Sequence, residues 1–461
     1  VNLRSTASAS RQDRAAEEPI NPREYRTPFQ RDCDRILYSS AFRRLAGVTQ
    51  VVDVFERQLF HNRLTHTLKV SQVGRRLAEL LLAKYADHQE VFQESGGIDV
   101  DVVEAACRAH DLGHPPFGHI AEEELQKCAK SWNEQRGERR GAPLTPLDSF
   151  EGNAQSFRII NKLAVRTARL GRIVALNLTR ATLAATLKYP WLSDDERANS
   201  KRKWGAYLSE ADEWLYATRL TPPPTPSIEA QIMDWADDVT YAVHDLEDFI
   251  RSGHVPLAQL VSESGADEQA RFITRTTEHL SGKTDISADE IQRAFIELKK
   301  RWLPRAYTGD TNSRAELHDA ASGLITQYLH PCEVRDGSLW IDRARVVEVN
   351  VLKQLIDSPS IAARQRGQRE VIASLFSHLV AWMAEAIEHP DELRRLPVAL
   401  RSYYELSRGD PGMQAWARQD DELIGARAVV DFISSLSEGQ AVELHGRLTG
   451  VVDTSAFTPW L

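Results

Sequence analysis

His110–Asp111–Leu112–Gly113–His114–Pro115–Pro116–Phe117–Gly118–His119 is the stretch that decides how the 461-residue chain is read. Just before it, Asp101 followed by Glu104 has the form of a capping pair, which predicts a helix running from there to Asp111. Gly113 and Pro115–Pro116 then stop that helix. Adjacent His and Asp at a broken helix end can point an imidazole and a carboxylate at one cation. Their nitrogen and oxygen donors suit a divalent transition metal and leave positions open for water. Two further ligands must come from other helices. His66, in Asn62–Arg63–Leu64–Thr65–His66, is the upstream candidate, and Asp237, in Ala236–Asp237–Asp238–Val239–Thr240–Tyr241, is the downstream one, with Asp238 as its alternative.

Working outward, helical spacing recurs almost everywhere and strand-like alternation is scarce. Ile36, Leu37, Ala41 and Leu45 predict one helix, and Leu68, Val70, Val73, Leu77, Leu80 and Leu81 another. A helix is expected from Phe150 to about Leu170. Ser227, after the extended TPPPTP run, caps one carrying Ile228, Ile232, Trp235, Val239, Val243, Leu246 and Ile250. Further helices are expected at 289–303, 344–357, 359–388 and 422–449, with one small hairpin around Cys332–Ile341 turning at Asp336–Gly337. Residues 1–25 are polar and aperiodic and are read as a disordered tail. The body divides into a core over 26–255, with polar insertions near 131–149 and 191–226, and a helical C-terminal region over 256–461 packed on that core. The fold class is therefore all-α.

The net charge of −9 argues against a surface that coats nucleic acid, since such binding needs many basic side chains against phosphates. Four cysteines, Cys33, Cys107, Cys128 and Cys332, form no CxxC pair, so neither a disulfide framework nor a cysteine zinc site is indicated, and a reducing cytoplasm fits. No apolar run reaches the ~20 residues that cross a bilayer, and no signal peptide is evident. A cytoplasmic protein with no membrane partner is expected.

The order His66, then His110–Asp111, then Asp237 resembles the H…HD…D signature of the HD phosphohydrolases. That resemblance implies an HD-domain helical bundle in which all four side chains hold one metal: manganese, magnesium or cobalt. Flanking text narrows it. Ser40–Ala41–Phe42–Arg43–Arg44–Leu45, Phe150–Glu151–Gly152–Asn153–Ala154–Gln155–Ser156, Leu187–Lys188–Tyr189–Pro190 and Asp431–Phe432–Ile433–Ser434 look like the deoxyguanosinetriphosphate triphosphohydrolase branch. The likeness is dense over 29–250 and thin over 255–420. It implies hydrolysis of deoxynucleoside triphosphates at the α-phosphate, giving deoxynucleoside and tripolyphosphate. It also implies His114 at the phosphates, a catalytic His119–Glu122 pair, a homo-oligomer such as a hexamer, and a nucleotide or single-stranded-DNA effector. The rival readings are another HD hydrolase, such as a monophosphatase or cyclic-nucleotide phosphodiesterase, and a non-catalytic assembly subunit.

Residue chemistry assigns roles within this frame. Asp237, Tyr241 and Asp245 recur every fourth residue and share one helix stripe, which suits a metal at the phosphate, a ring against the sugar and a carboxylate on the 3′-hydroxyl. His119 and Glu122 stand three apart; a carboxylate beside an imidazole raises and orients it, as a proton donor requires. The alternative for Glu122–Glu123–Glu124 is a solvated acidic face. Arg43, Arg44, Arg63 and Lys188 are the cations for phosphate, Arg63 favoured by its place three before His66. Arg43 or Arg44 could instead form a surface salt bridge, and Gln50 is the candidate for sugar or base.

Overall fold

A computed structural model describes residues 10–19, 22–49, 61–93, 96–141, 144–169, 172–304, 306–355 and 360–451. Three helices frame the site. Arg63–Lys84 starts at Asn62, whose side chain accepts from the Thr65 amide. Val100–Ala109 starts at Asp99, and Ile228–Arg251 starts at Ser227, which accepts from the Ala230 amide. Their apolar stripes, including Val70, Val73 and Leu77, Val102, Val103 and Ala106, and Ile232, Ala236 and Val239, meet in one interior. Gly74 permits the closest approach: a Cβ there would stand 2.6 Å from the Cys107 sulfur.

This interior does not stop at residue 255. Phe272, Phe295, Leu298, Leu324, Val347 and Leu352, from helices Ala266–Leu280, Ala288–Arg301, Thr311–Leu329 and Arg343–Lys353, pack into it. A second apolar cluster joins His119–Arg140 to Ser360–Glu388, Asp421–Ser435 and Glu438–Leu448. The chain is thus a layered all-α body in which late helices cover early ones. The hairpin appears where expected, as Glu333–Arg335 paired antiparallel with Ser338–Trp340, with Asp336 and Gly337 both at positive φ.

Several local expectations need correction. The Val100–Ala109 helix is capped by Asp99, which accepts from the Asp101 and Val102 amides, while Asp101 and Glu104 pair with Arg75 instead. The polar stretch at 131–149 is helical as far as Arg140, because Leu125, Ala129, Trp132 and Arg136 form its inner stripe. Arg136 is buried against Asp420 and Glu422, so a core position reads as a polar one. The helix after Phe150 spans only Gly152–Arg158 and one wider turn, Ile159–Leu163, before a two-stranded pair, Thr167–Arg169 with Arg172–Val174. The 422–449 helix is two, broken at Leu436 and restarted by a Ser437–Gln440 capping box.

The stretch expected to be a disordered tail is anchored where it is described. Arg11 pairs with Glu229, Arg14 with Asp32 and Glu18 with Arg35. Its contacts are ion pairs and hydrogen bonds, including the Arg180 and Ala181 amides donating to the Asp13 and Arg11 carbonyls, so apolar periodicity could not reveal them. Within Ser360–Glu388, Gln365–Glu388 is long and apolar enough to cross a bilayer on those two criteria, contrary to expectation. One side of it, Ile372, Leu375, Phe376, Leu379, Met383 and Ala386, lies in the second core cluster.

Candidate active site

His110 is the C-cap of the Val100–Ala109 helix. Its Nδ1 lies 2.7 Å from the Cys107 carbonyl, which only accepts, so Nδ1 carries the proton and Nε2 is the free lone pair of the neutral ring. That Nε2 is buried and has no hydrogen-bond partner among the described residues. It faces Asp111 Oδ1 at 3.4 Å and Asp237 Oδ1 at 3.6 Å. His66 Nε2 reaches the same Asp237 oxygen at 3.0 Å. His66, His110 and Asp111 place one donor atom each within 4.8 Å of one another. All four expected ligands therefore converge.

The electrostatics fit a cation. Burial opposes charge on His110, yet Asp111 and Asp237 outweigh it and raise its pKa to about 9. Burial likewise resists ionisation of Asp237, but His110 and His66 hold it well below the usual carboxylate range. The carboxylates draw positive charge to this point, and imidazole plus carboxylate is a donor set for a divalent ion. Arg63 Nη1 donates to Asp111 Oδ2 at 2.8 Å and so orients that carboxylate while leaving Oδ1 inward. Behind the cluster, Ser156 Oγ accepts from the Gly113 amide at 2.8 Å and donates to the His110 carbonyl at 2.8 Å. Gly113 is required here: a Cβ would stand 2.2 Å from both the Gly152 carbonyl oxygen and the Ser156 nitrogen.

A cavity of about 240 Å³ opens over the cluster, lined among others by Arg63, His114, His119, Glu122, Lys188, Lys203, Tyr241 and Lys353. At its edge His119 Nδ1 donates to Glu122 Oε2 at 3.0 Å, and the His119 side chain is 66% exposed, so its other nitrogen is open to the cavity and to solvent. Burial works against the Glu122 carboxylate, but the His119 hydrogen bond and Lys203, 2.9 Å from Oε1, hold it well below its ordinary range. Lys203 also reaches Glu151, the N-cap of Gly152–Arg158, at 3.1 Å. Burial, then Arg63, keeps His114 neutral.

An HD domain profile matches residues 63–145, and a phosphohydrolase-associated domain profile matches residues 343–447. A deoxyguanosinetriphosphate triphosphohydrolase-like protein of Streptomyces coelicolor is 36% identical over 461 aligned residues, 95% of this chain and 96% of its own length. The chain belongs to this HD-domain, deoxyguanosinetriphosphate triphosphohydrolase-like family. Relatives of the same description in Bifidobacterium longum and Corynebacterium efficiens are 31% and 30% identical, covering 95% and 92% of this chain and 86% and 92% of their own lengths. It is thus a member of a phosphohydrolase superfamily, and its His/Asp cluster is of the kind that holds a divalent metal.

Not every residue singled out from the sequence reaches the cavity. Arg44 donates to the carbonyls of Leu112, His114 and Leu436 at 2.7, 2.9 and 3.2 Å, so it braces the HD turn rather than facing a ligand. Arg43 is exposed, and Gln50 lies outside the described residues. Asp245 is on the Asp237–Tyr241 stripe but one turn deeper, buried, with Oδ2 lacking a partner among the described residues. Burial, with Asp248 adding to it, raises its pKa well above the ordinary value. Lys188 pairs with Asp234 and stands 4.0 Å from Asp237. Lys203, Glu151 and Lys353 line the cavity without having been anticipated. Lys203 and Lys353 sit in segments with no recognisable motif; Glu151 lies inside the Phe150–Ser156 stretch, and only the fold shows it as the N-cap of Gly152–Arg158 beside Lys203.

Proposed function

We propose that the protein hydrolyses deoxynucleoside triphosphates at the α-phosphate, releasing deoxynucleoside and tripolyphosphate. The observation that carries this reading is the convergence in one cavity of a His/Asp metal cradle, a His119–Glu122 pair and the cations Arg63, Lys188 and Lys203. The printed description of the relatives agrees with it.

In this reading His66, His110, Asp111 and Asp237 hold manganese, magnesium or cobalt. When bound, the ion supplies Lewis acidity toward a phosphoryl oxygen and lowers the pKa of water. Lys188 and Lys203 meet the triphosphate charge, and Arg63 does so beside its bond to Asp111. His114, neutral and facing the cavity, contacts phosphate. His119, held by Glu122 and exposed on its other side, protonates the departing 5′ oxygen. Tyr241, which lines the cavity, lies against the sugar, and Asp245, one turn deeper with Oδ2 unpartnered among the described residues, accepts from a 3′-hydroxyl that extends past that ring.

The deciding experiment is product analysis after incubating each of the four deoxynucleoside triphosphates, and their ribose counterparts, with protein and Mn²⁺, Mg²⁺ or Co²⁺. Tripolyphosphate from a deoxynucleotide is the expected outcome. Orthophosphate, a nucleotide product, or no product under all three metals would refute the reading.

A further inference from the structure

The turn that delivers His119 is conformationally costly. Phe117 has φ 68° and Gly118 φ 60°, and a bulky residue in the left-handed region persists only when its surroundings hold it there. His119 is the first residue of the following helix, so its imidazole is aimed by this turn. The holding contact comes from the far end of the chain. Glu438, the first residue of Glu438–Leu448 and 2% exposed, accepts from the Phe117 amide at 3.2 Å and the Thr49 amide at 2.8 Å through Oε1. Through Oε2 it accepts from the Thr49 hydroxyl at 2.8 Å. The neighbouring residues meet the same region: Leu436 shares Arg44 with the carbonyls of Leu112 and His114, and a Cβ on Gly47 would stand 2.8 Å from that of Ser437.

We infer that Glu438 is a positioning residue for the reaction: it fixes the Pro115–Gly118 turn so that His119 meets Glu122 on one side and the cavity on the other. The phosphohydrolase-associated segment thereby sets the geometry of the proton donor without touching substrate. This rests on the reading of His119 as that donor.

The test compares Glu438→Ala, Glu438→Asp, Glu438→Gln, His119→Ala and the double variant His119→Ala/Glu438→Ala in the full chain. The readouts are bound Mn²⁺, melting temperature, and kcat and KM on the deoxynucleoside triphosphate that the parent turns over fastest. Glu438→Asp, one methylene shorter, covers the case in which the alanine variant does not fold. A misplacement of about 1 Å costs on the order of a hundredfold, so kcat should fall roughly ten- to a hundredfold in Glu438→Ala and Glu438→Asp, with KM and bound Mn²⁺ near parental. Glu438→Gln keeps Oε1 for both amides and can donate to the Thr49 hydroxyl, so its kcat should stay within about threefold of the parent. The double variant should be no slower than His119→Ala, because both act through one group. Parental kcat in the alanine and aspartate variants, a Glu438→Gln loss as deep as theirs, or multiplying losses in the double variant, would each overturn the inference. Parental kcat in His119→Ala would instead remove the proton-donor reading on which it depends.

Discussion

Ser156→Ala should loosen the metal site without touching any ligand. The hydroxyl bridges the Gly113 amide and the His110 carbonyl, each at 2.8 Å, and Ser156 is 3% exposed. Removing it strands a buried N–H and a buried C=O. The Gly152–Arg158 backbone sits so close to Gly113 that a Cβ there would be 2.2 Å from it, which leaves no room for a substituting water. An unsatisfied buried backbone group costs about 1–3 kcal/mol, and the carbonyl is the cheaper of the two, so a total near 2–4 kcal/mol is expected. Because the stranded groups flank His110 and Asp111, part of that cost should appear as weaker metal binding. Residues that orient ligands are worth roughly 10–100-fold in metal affinity. Titration calorimetry with Mn²⁺ and urea denaturation without metal measure the two components separately. Stability within about 0.5 kcal/mol of the parent together with unchanged Mn²⁺ affinity would refute the argument.

Alanine at His66, His110, Asp111 or Asp237 should abolish both bound Mn²⁺ and turnover, as elemental analysis and assay can show; full occupancy in Asp237→Ala would shift the role to Asp238. His119→Ala should lower kcat by about 10²–10⁴-fold while bound metal stays at the parental level. Tyr241→Ala should narrow the preference for deoxyribose over ribose triphosphates, and Asp245→Ala should cut kcat/KM roughly ten- to a hundredfold on a 3′-hydroxyl substrate but little on its dideoxy counterpart; unchanged preference in both would make the stripe mere packing. Glu229 is buried, which raises its pKa from 4.5 to about 7 in spite of Arg11, so the fold favours its protonated form. Its contribution to stability is present below pH 4.5 and is lost as the pH rises through about 7, roughly 3 kcal/mol in all, so Glu229→Gln should gain on the parent in melting temperature between pH 5 and pH 9.

The sequence by itself determined the helices whose inner stripe is apolar and whose caps are serine or asparagine, such as Arg63–Lys84 and Ile228–Arg251, because a period of 3.6 and a capping side-chain oxygen are local properties. It also singled out the four candidate ligands whose side chains the fold brings together, since the residue types at a helix break and on two facing stripes are legible in one dimension. The second half of helix His119–Arg140 and the anchoring of residues 10–19 were not legible, because Arg136 and Arg11 are held by ion pairs, and a buried ion pair looks like a solvated residue until its partner is known. Only the tertiary structure decided which cations face the cavity. Arg44 and Lys203 look alike on paper, yet Arg44 is surrounded by three carbonyls while Lys203 is drawn to Glu122 and Glu151. Whether a cation faces a ligand depends on which acceptors lie within about 3 Å of it, and those come from residues distant in sequence. For the same reason only the folded chain brings Glu438 beneath the turn that carries His119.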